Sequence, residues 1–190
     1  GDLRRMYEFL LTHFTEVLSI NLSSKLSGTY QAACLAASAV SGSGRIRILD
    51  SANVSVGQGL IVKRAGELAA AGITGMALWT AVQEEIGSMR TFALVTDLSN
   101  AVRSGRLKPV LKQVTDLLHL TPVLMNTRSG KVGVHGFIPG RFRLIKRFAR
   151  YIARTMGAAG KWEVAIASST PGSPEVELLQ AELAAQLKGI

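Results

Sequence analysis

The sequence predicts an α/β fold in which a parallel-sheet lobe is followed by a smaller α+β lobe. In the first half of the chain helical and strand patterns alternate, which is typical of parallel strands joined by crossover helices. In the second half a hairpin pattern lies between helices. The composition is that of a folded protein, since 47% of the 190 residues are hydrophobic and only 18% are charged. We predict two domains, residues 1–96 and 97–190.

The first three elements are a helix, a strand and a second helix. Apolar residues at helical spacing and an acidic first turn predict a helix over residues 2–14. The aliphatic run at 16–22 predicts a strand. An alanine-rich segment at 27–40, which ends in the Ser/Gly cluster 41–44, predicts the second helix.

The rest of the first lobe continues the alternation. Residues 45–50 alternate arginine with isoleucine and predict a second strand. Helical patterns at 56–71 and 74–89 are separated by Gly72, a natural stop. An apolar run at 91–96 predicts a third strand. We expect all three strands to form one parallel sheet.

The second lobe begins with two short helices and a β-hairpin with glycine at its turn. A longer helix follows, with apolar residues on one face and Arg and Lys on the others. A strand and a closing helix complete the lobe. The predicted elements are helices at 98–103 and 110–118, strands at 121–126 and 131–137, a helix at 141–156, a strand at 162–167 and a helix at 174–187.

Positive charge is concentrated in the second half of the chain. Residues 1–95 carry 8 Lys and Arg against 7 Asp and Glu, whereas residues 96–190 carry 14 against 6. Such a field attracts anions or acidic partners, so a basic nucleic-acid-binding or regulatory module is the alternative function. However, aromatic residues make up only 6% of the chain, whereas single-strand binders stack successive bases on aromatic side chains. We therefore predict no nucleic-acid partner.

The single cysteine, Cys34, cannot form a disulfide framework or a thiolate metal site. No apolar run approaches the ~18–20 residues that a membrane-spanning helix needs, and no segment has the form of a signal peptide. These features predict a cytoplasmic protein. No metal site or cofactor is predicted.

The segment SSKLSGTY at residues 23–30 lies between a predicted strand and a predicted helix. Its hydroxyls suit the capping of free helical N–H groups. The same position, at the carboxyl end of a strand, is where α/β sheets bind ligands and where a helix N-terminus attracts an anion. Gly28 would allow close approach, and Ser27 and Thr29 would add hydroxyl donors. Both readings, cap and binding site, stay open.

Two further segments have a structural and a functional reading. In Arg103-Ser104-Gly105-Arg106-Leu107 the glycine suits a helix C-cap, and a guanidinium on such a turn suits a carboxylate or phosphate. Asp50 and Ser51 follow the second strand, and we expect them to cap a helix rather than form a polar pair at the sheet edge.

Together, the SSKLSGTYQAA segment, a strand that ends in Asp-Ser and an SGRL segment after the third strand resemble the DegV family of bacterial fatty-acid-binding proteins. This family includes the carriers that serve fatty acid kinase in phospholipid metabolism. The resemblance implies an α/β domain at 1–96 that presents a carboxylate and an α+β domain at 97–190 that holds the acyl chain. It also implies that the chain is a carrier and not itself the catalyst.

The resemblance implies a set of site residues. Ser27, Gly28 and Thr29 would hold the fatty-acid carboxylate, and Arg106 matches the family's arginine after the third strand. Arg141 or Arg143 matches a further arginine that would meet the partner kinase or a phosphate. A transient contact with a membrane surface is a further expectation. Apolar residues that could line a tunnel for the tail are Leu107, Val110, Leu111, Leu117, Leu118, Leu120, Val123 and Met125.

Two motifs of the family are missing from this sequence. One is an N-terminal Thr-Ser-Gln-Pro type loop, and the other is a C-terminal Gly-Thr-His-x-Gly-Pro-Gly type segment. We therefore expect both predicted domains to be incomplete, the first at its N-terminus and the second at its C-terminus. A hydrolase with Ser27 as nucleophile is the weakest hypothesis, because no Gly-x-Ser-x-Gly elbow surrounds that residue.

Overall fold

The structure is a computed structural model that describes residues 2–157 and 160–187. The helices are α1 (Asp2–His13), α2 (Thr29–Ser38), α3 (Val56–Ala70), α4 (Gly75–Ser88), α5 (Ser99–Arg103), α6 (Pro109–Leu117), α7 (Leu144–Met156) and α8 (Pro174–Gln186). The strands are β1 (Val17–Asn21), β2 (Ile46–Asp50), β3 (Phe92–Leu94), β4 (Leu120–Asn126) and β5 (Val132–Pro139).

The chain divides into two compact units. The first comprises Gly1–Thr91 together with Asn126–Val132, and the second comprises Phe92–Met125 together with Gly133–Ile190. The predicted boundary, between residues 96 and 97, therefore lies five residues beyond the end of the first unit's main segment. The turn of the hairpin also belongs to the first unit, although the sequence places it within the second lobe.

In the first unit, β1 and β2 form a parallel pair whose register runs from Val17↔Ile46 to Asn21↔Asp50. Helix α2 connects them, as expected for a parallel pair. Its alanines allow close packing, and Ala33 and Ala37 are buried in one core cluster with Tyr7 of α1. A second cluster joins β2 to α3 and α4 through the buried residues Leu49, Ile61, Ala65 and Val82.

The prediction of a third parallel strand at 91–96 is wrong. Strand β3 covers only Phe92–Leu94 and pairs antiparallel with β4, with Phe92 opposite Met125 and Leu94 opposite Val123. It belongs to a three-stranded sheet of order β3-β4-β5, whereas the described parallel sheet has two strands. A short apolar run predicts a strand but does not specify its neighbour, which explains the error.

In the second unit, α7 and α8 pack with this three-stranded sheet. Val123, Ile138 and Phe148 are buried together, and Ala149 is buried with Leu183 of α8. A salt bridge of 2.8 Å between Lys146 and Glu182 links the two helices. The apolar face of α7 is thus covered, as its amphipathic pattern predicts.

Two predictions in this unit are wrong. Residues 162–167 form no strand, because their apolar side chains Trp162 and Ile166 pack against the α7–α8 cluster instead of pairing with a neighbouring strand. Helix α7 begins at Leu144 rather than at residue 141, because Arg143 has a positive φ of 48° and interrupts the helix. Among the described residues, no helix is long and apolar enough to span a bilayer.

Candidate functional site

The candidate site is the loop between β1 and α2, at the carboxyl end of the parallel pair. Strand β1 ends at Asn21, which lies opposite Asp50 at the end of β2. Helix α2 begins at Thr29, and the carbonyl of Gly28 accepts its first helical hydrogen bond from the N–H of Ala32 at 2.9 Å. The first turn of a helix leaves backbone N–H groups without intrahelical partners, and these favour an anion.

The structure brings the hydroxyls of Ser27 and Thr29 together. Ser27 Oγ and Thr29 Oγ1 are 2.7 Å apart and hydrogen-bonded to each other. Ser27 Oγ also accepts from the N–H of Thr29 at 3.3 Å, while the N-cap position itself is occupied by Gly28 without a side-chain cap. One of the two hydroxyl protons is used between them, so the pair can still donate the other to a ligand.

Gly28 and Thr29 are exposed and Ser27 is half-buried. A Cβ atom at Gly28 would have no heavy atom within 4 Å, so the space above this residue is open. Among the described residues, the turn therefore presents hydroxyls and a helix N-terminus to open space. This arrangement suits an anionic group of the size of a carboxylate.

The loop is held by the side chain of Ser23, the first residue of the SSKLSGTY segment, for which the sequence predicted no contact outside that segment. Ser23 is fully buried, and its Oγ donates to the carbonyl of Gly130 at 2.6 Å. The same Oγ accepts from the N–H of Lys25 at 3.2 Å. The hairpin turn at Gly130 therefore contacts the loop through Ser23, although the two residues are 107 positions apart in the sequence.

Asp50 and Ser51 do not cap a helix, so the expected capping role is wrong. The Asp50 carboxylate accepts from the N–H of Ser24 at 3.2 Å and from the N–H of Ala52 at 2.8 Å. Helix α3 starts later, at Val56, with Ser55 at its N-cap. Asp50 instead ties the loops that follow β1 and β2 at the sheet edge, which is the other reading that the sequence allowed.

A buried amide cluster lies beneath these loops. Asn53 Oδ1 accepts from Thr91 Oγ1 at 3.0 Å and from Asn126 Nδ2 at 2.8 Å. Asn126 Oδ1 accepts in turn from the N–H of Thr91 at 2.7 Å. All three residues are buried, and Gly57 leaves the space that Thr91 fills. Two asparagines 73 positions apart carry no local sequence signal, so the cluster was not predicted.

Tyr30 follows Thr29 on the first turn of α2. A hydrogen bond with the thiol of Cys34 is the largest effect that raises the pKa of the Tyr30 phenol above its ordinary value. The charge of Asp50 raises this pKa further. The phenol is therefore neutral near pH 7 and acts at this edge as a hydrogen-bonding group rather than as an anion.

Arg106 lies in the second unit, on the turn after α5. The predicted C-cap is confirmed, since Gly105 has a φ of +72° and the N–H of Arg106 donates to the carbonyl of Ala101 at 2.9 Å. The side chain is exposed, and its Nη1 donates to the carbonyl of Ser104 at 2.6 Å. Its predicted contact with a carboxylate stays a prediction.

Arg141 and Arg143 lie before α7 in the second unit. Both are exposed; the guanidinium of Arg143 lies 5.1 Å from the centroid of the Phe142 ring. Arg141 lines a cavity of about 160 Å³ together with His119, Thr96 and Thr121. This volume is below the ~300–1,000 Å³ of typical small-molecule sites. The predicted partner or phosphate role of these arginines stays untested.

The eight residues predicted to line a tunnel for the tail differ in their surroundings. Val123 is fully buried in the sheet–helix core. By contrast, Val110, Leu117 and Leu118 of the α6 region are 56%, 79% and 57% exposed. With Val114, which is 41% exposed, they form an apolar surface that we call the α6 face. A tunnel through the second unit stays a prediction.

Comparison with known proteins places this fold in a family. The model of the DegV family, described as uncharacterised proteins, matches residues 1–189. A DegV domain-containing protein of Clostridium perfringens is 35% identical over 140 residues, which are 74% of this chain and 50% of that protein. The chain thus spans about half the length of this curated relative.

Solved structures agree with the family match. A DegV family protein of Thermus thermophilus, described by its fatty acid binding, matches with a TM-score of 0.78 and 28% identity, over 99% of this chain and 66% of that one. A DegV family protein of Ruminococcus gnavus, solved with vaccenic acid, matches with a TM-score of 0.82 over the same shares. At 21% identity, the second match supports the fold alone.

Proposed function

The chain belongs to the DegV family, and from that premise we propose that it binds a long-chain fatty acid. The carboxylate would lie at the turn formed by Ser27, Gly28 and Thr29. The observation that carries this proposal is the pair of hydroxyls 2.7 Å apart at the N-terminus of α2. The T. thermophilus relative, whose description names fatty acid binding, gives the ligand class.

The head group of a fatty acid needs hydrogen bonds wherever it leaves water. A buried carboxylate without partners is prohibitively costly, and hydroxyl and backbone N–H donors offset that cost. Ser27, Thr29 and the first N–H groups of α2 are such donors. We propose Arg106 as an additional ligand on the basis of the family resemblance.

The hydrocarbon tail supplies most of the affinity. Burial of a 16-carbon chain contributes on the order of 10 kcal/mol, at about 0.8 kcal/mol per methylene, before the costs of association. We propose that the tail is held by the second unit, with the α6 face as one wall. An exposed apolar surface of this kind on a folded protein commonly marks an interaction site.

The chain would act as a carrier rather than as a catalyst. In this proposal a partner kinase phosphorylates the presented carboxylate to an acyl phosphate. Arg141 and Arg143 would meet that partner or the added phosphate, since guanidinium groups pair bidentately with phosphate.

Analysis of the purified protein tests fatty acid binding directly. We expect organic-solvent extraction and mass spectrometry to recover a long-chain fatty acid in near-equimolar amount. We also expect the delipidated protein to bind palmitic acid in solution. Protein that carries no lipid and binds no fatty acid would contradict the proposal.

A nucleic-acid-binding module is the second candidate, and one observation favours it. Arg147, Arg150 and Arg154 follow one another at helical spacing along α7, and Arg143 directly precedes the helix. For such a module we expect the logarithm of the association constant for DNA to fall linearly with the logarithm of the salt concentration. We also expect DNA binding to be insensitive to fatty acid. Retention on DNA with this salt dependence, without any fatty acid binding, would favour this second function.

A further inference from the structure

We propose that Ser23 and Asp50 are positioning residues that give the Ser27 turn its preference for a carboxylate over an uncharged head group. Neither residue is part of the proposed carboxylate contact. The inference rests on the proposed function, because it concerns the selectivity of the same turn. It assigns that selectivity to two contacts that fix the loop before α2, namely Ser23 with the Gly130 carbonyl and Asp50 with the N–H of Ser24.

Ser23 determines where the turn lies. Its backbone carbonyl accepts from the N–H of Leu26 at 3.0 Å and from the N–H of Ser27 at 3.1 Å. Its own N–H donates to the carbonyl of Asn53 at 3.0 Å, and its Oγ donates to the carbonyl of Gly130. The backbone of Ser27 is therefore bonded directly to a residue that is itself fixed from two sides.

The anchor at Gly130 is closely fitted. Gly130 is buried and has a φ of +82°, a conformation that other residues rarely adopt. A Cβ atom there would overlap Ser23 Oγ and would lie 3.1 Å from Ala52 Cα. The contact thus has no room for a side chain, and the Gly130 carbonyl is held against the Ser23 hydroxyl.

Asp50 holds the other side of the loop. Its carboxylate bonds the N–H groups of both Ser24 and Ala52, so it fixes the loops after two adjacent strands to each other. Hydrogen bonds to a charged acceptor are stronger than those between neutral groups. Ser24 follows Ser23 directly, which means that two independent bonds act on neighbouring residues of the loop.

Positioning affects an acid more than an alcohol. A carboxylate gains most from donors that are held in place before it binds, whereas a hydroxyl head group makes fewer and weaker bonds. Loss of a supporting contact moves the donors and weakens the bonds to the carboxylate. The tail contacts, which the two ligands share, are unaffected.

The test compares two ligands with the same chain, palmitic acid and 1-hexadecanol, both delivered from cyclodextrin. Their dissociation constants are measured for the unmodified protein, Ser23→Ala, Asp50→Asn and Tyr7→Phe. The last is the matched control, because it removes a buried hydroxyl of the same unit that bonds Ser19 Oγ at 2.8 Å. We expect the acid-to-alcohol preference to fall about tenfold in the first two variants. In Tyr7→Phe it should be unchanged.

The outcomes separate the two proposals. An unmodified protein that does not prefer the acid contradicts the proposed function itself. A clear preference that persists in both Ser23→Ala and Asp50→Asn overturns only the positioning roles. If Ser23→Ala does not fold, Asp50→Asn decides alone. Removal of the negative charge of Asp50 would by itself increase the affinity for an anionic ligand. A lower acid-to-alcohol preference in Asp50→Asn is therefore explained by displaced donors. A higher preference in this variant contradicts the inference.

Discussion

Replacement of Ser27 and Thr29 together by alanine is expected to lower the affinity for a long-chain fatty acid about 30-fold, because the hydrogen bond that the hydroxyl pair can donate to a charged group contributes about 2 kcal/mol. The free energy of unfolding should change by less than about 1 kcal/mol, since the two hydroxyls bond mainly each other near the surface. Isothermal titration with palmitic acid and urea unfolding measure the two effects separately.

The matched control is Thr12→Ala combined with Ser38→Ala. These residues are likewise one serine and one threonine of the first unit; both are exposed, and their hydroxyls bond nearby groups of α1 and α2. We expect this control to bind fatty acid as the unmodified protein does. Unchanged affinity in the Ser27/Thr29 variant would mean that the hydroxyl pair serves only the start of α2.

Gly57→Ala is expected to lower the free energy of unfolding by about 3 kcal/mol. A Cβ atom at this position would overlap Thr91 Oγ1 and would lie 2.9 Å from Asn53 Oδ1. Those two atoms are hydrogen-bonded to each other within the buried amide cluster. The added methyl group must therefore break that bond or displace α3 from it.

The same substitution at Gly66 of α3 should have the opposite sign. Gly66 is exposed, and a Cβ atom there would have no heavy atom within 4 Å. Glycine in a helix interior is less favourable than alanine by about 1 kcal/mol, so Gly66→Ala should stabilise the protein by up to that amount. Urea unfolding followed by circular dichroism measures both variants. Equal effects at the two positions would contradict the close packing around Gly57.

Sequence patterns predicted the helices better than the partners of the strands. The helical repeat of α1 and the breaker at Gly72 placed helix limits within a few residues, because both signals are local. The neighbour of β3 could not be predicted, since alternation specifies which face is buried but not which strand is adjacent. At residues 162–167 the apolar side chains Trp162 and Ile166 pack on helices and form no sheet.

For the candidate site, too, local signals could be predicted from the sequence and long-range contacts could not. The turn at Ser27 could be located because ligand sites of α/β sheets lie at the carboxyl ends of strands. Its supports could not, because Ser23 meets Gly130 only in the folded chain and Asn53 meets Asn126 likewise. For Asp50, the pattern of a polar residue after a strand was compatible with a helix cap. In the fold its carboxylate instead accepts from the N–H of Ser24, which follows the neighbouring strand β1.

A crystal structure of the protein with a bound long-chain fatty acid is the most direct measurement. We predict that a carboxylate oxygen of the lipid lies within about 3 Å of Ser27 Oγ or Thr29 Oγ1, at hydrogen-bonding distance. A lipid whose head group lies elsewhere, while both hydroxyls contact only water, would contradict the central claim.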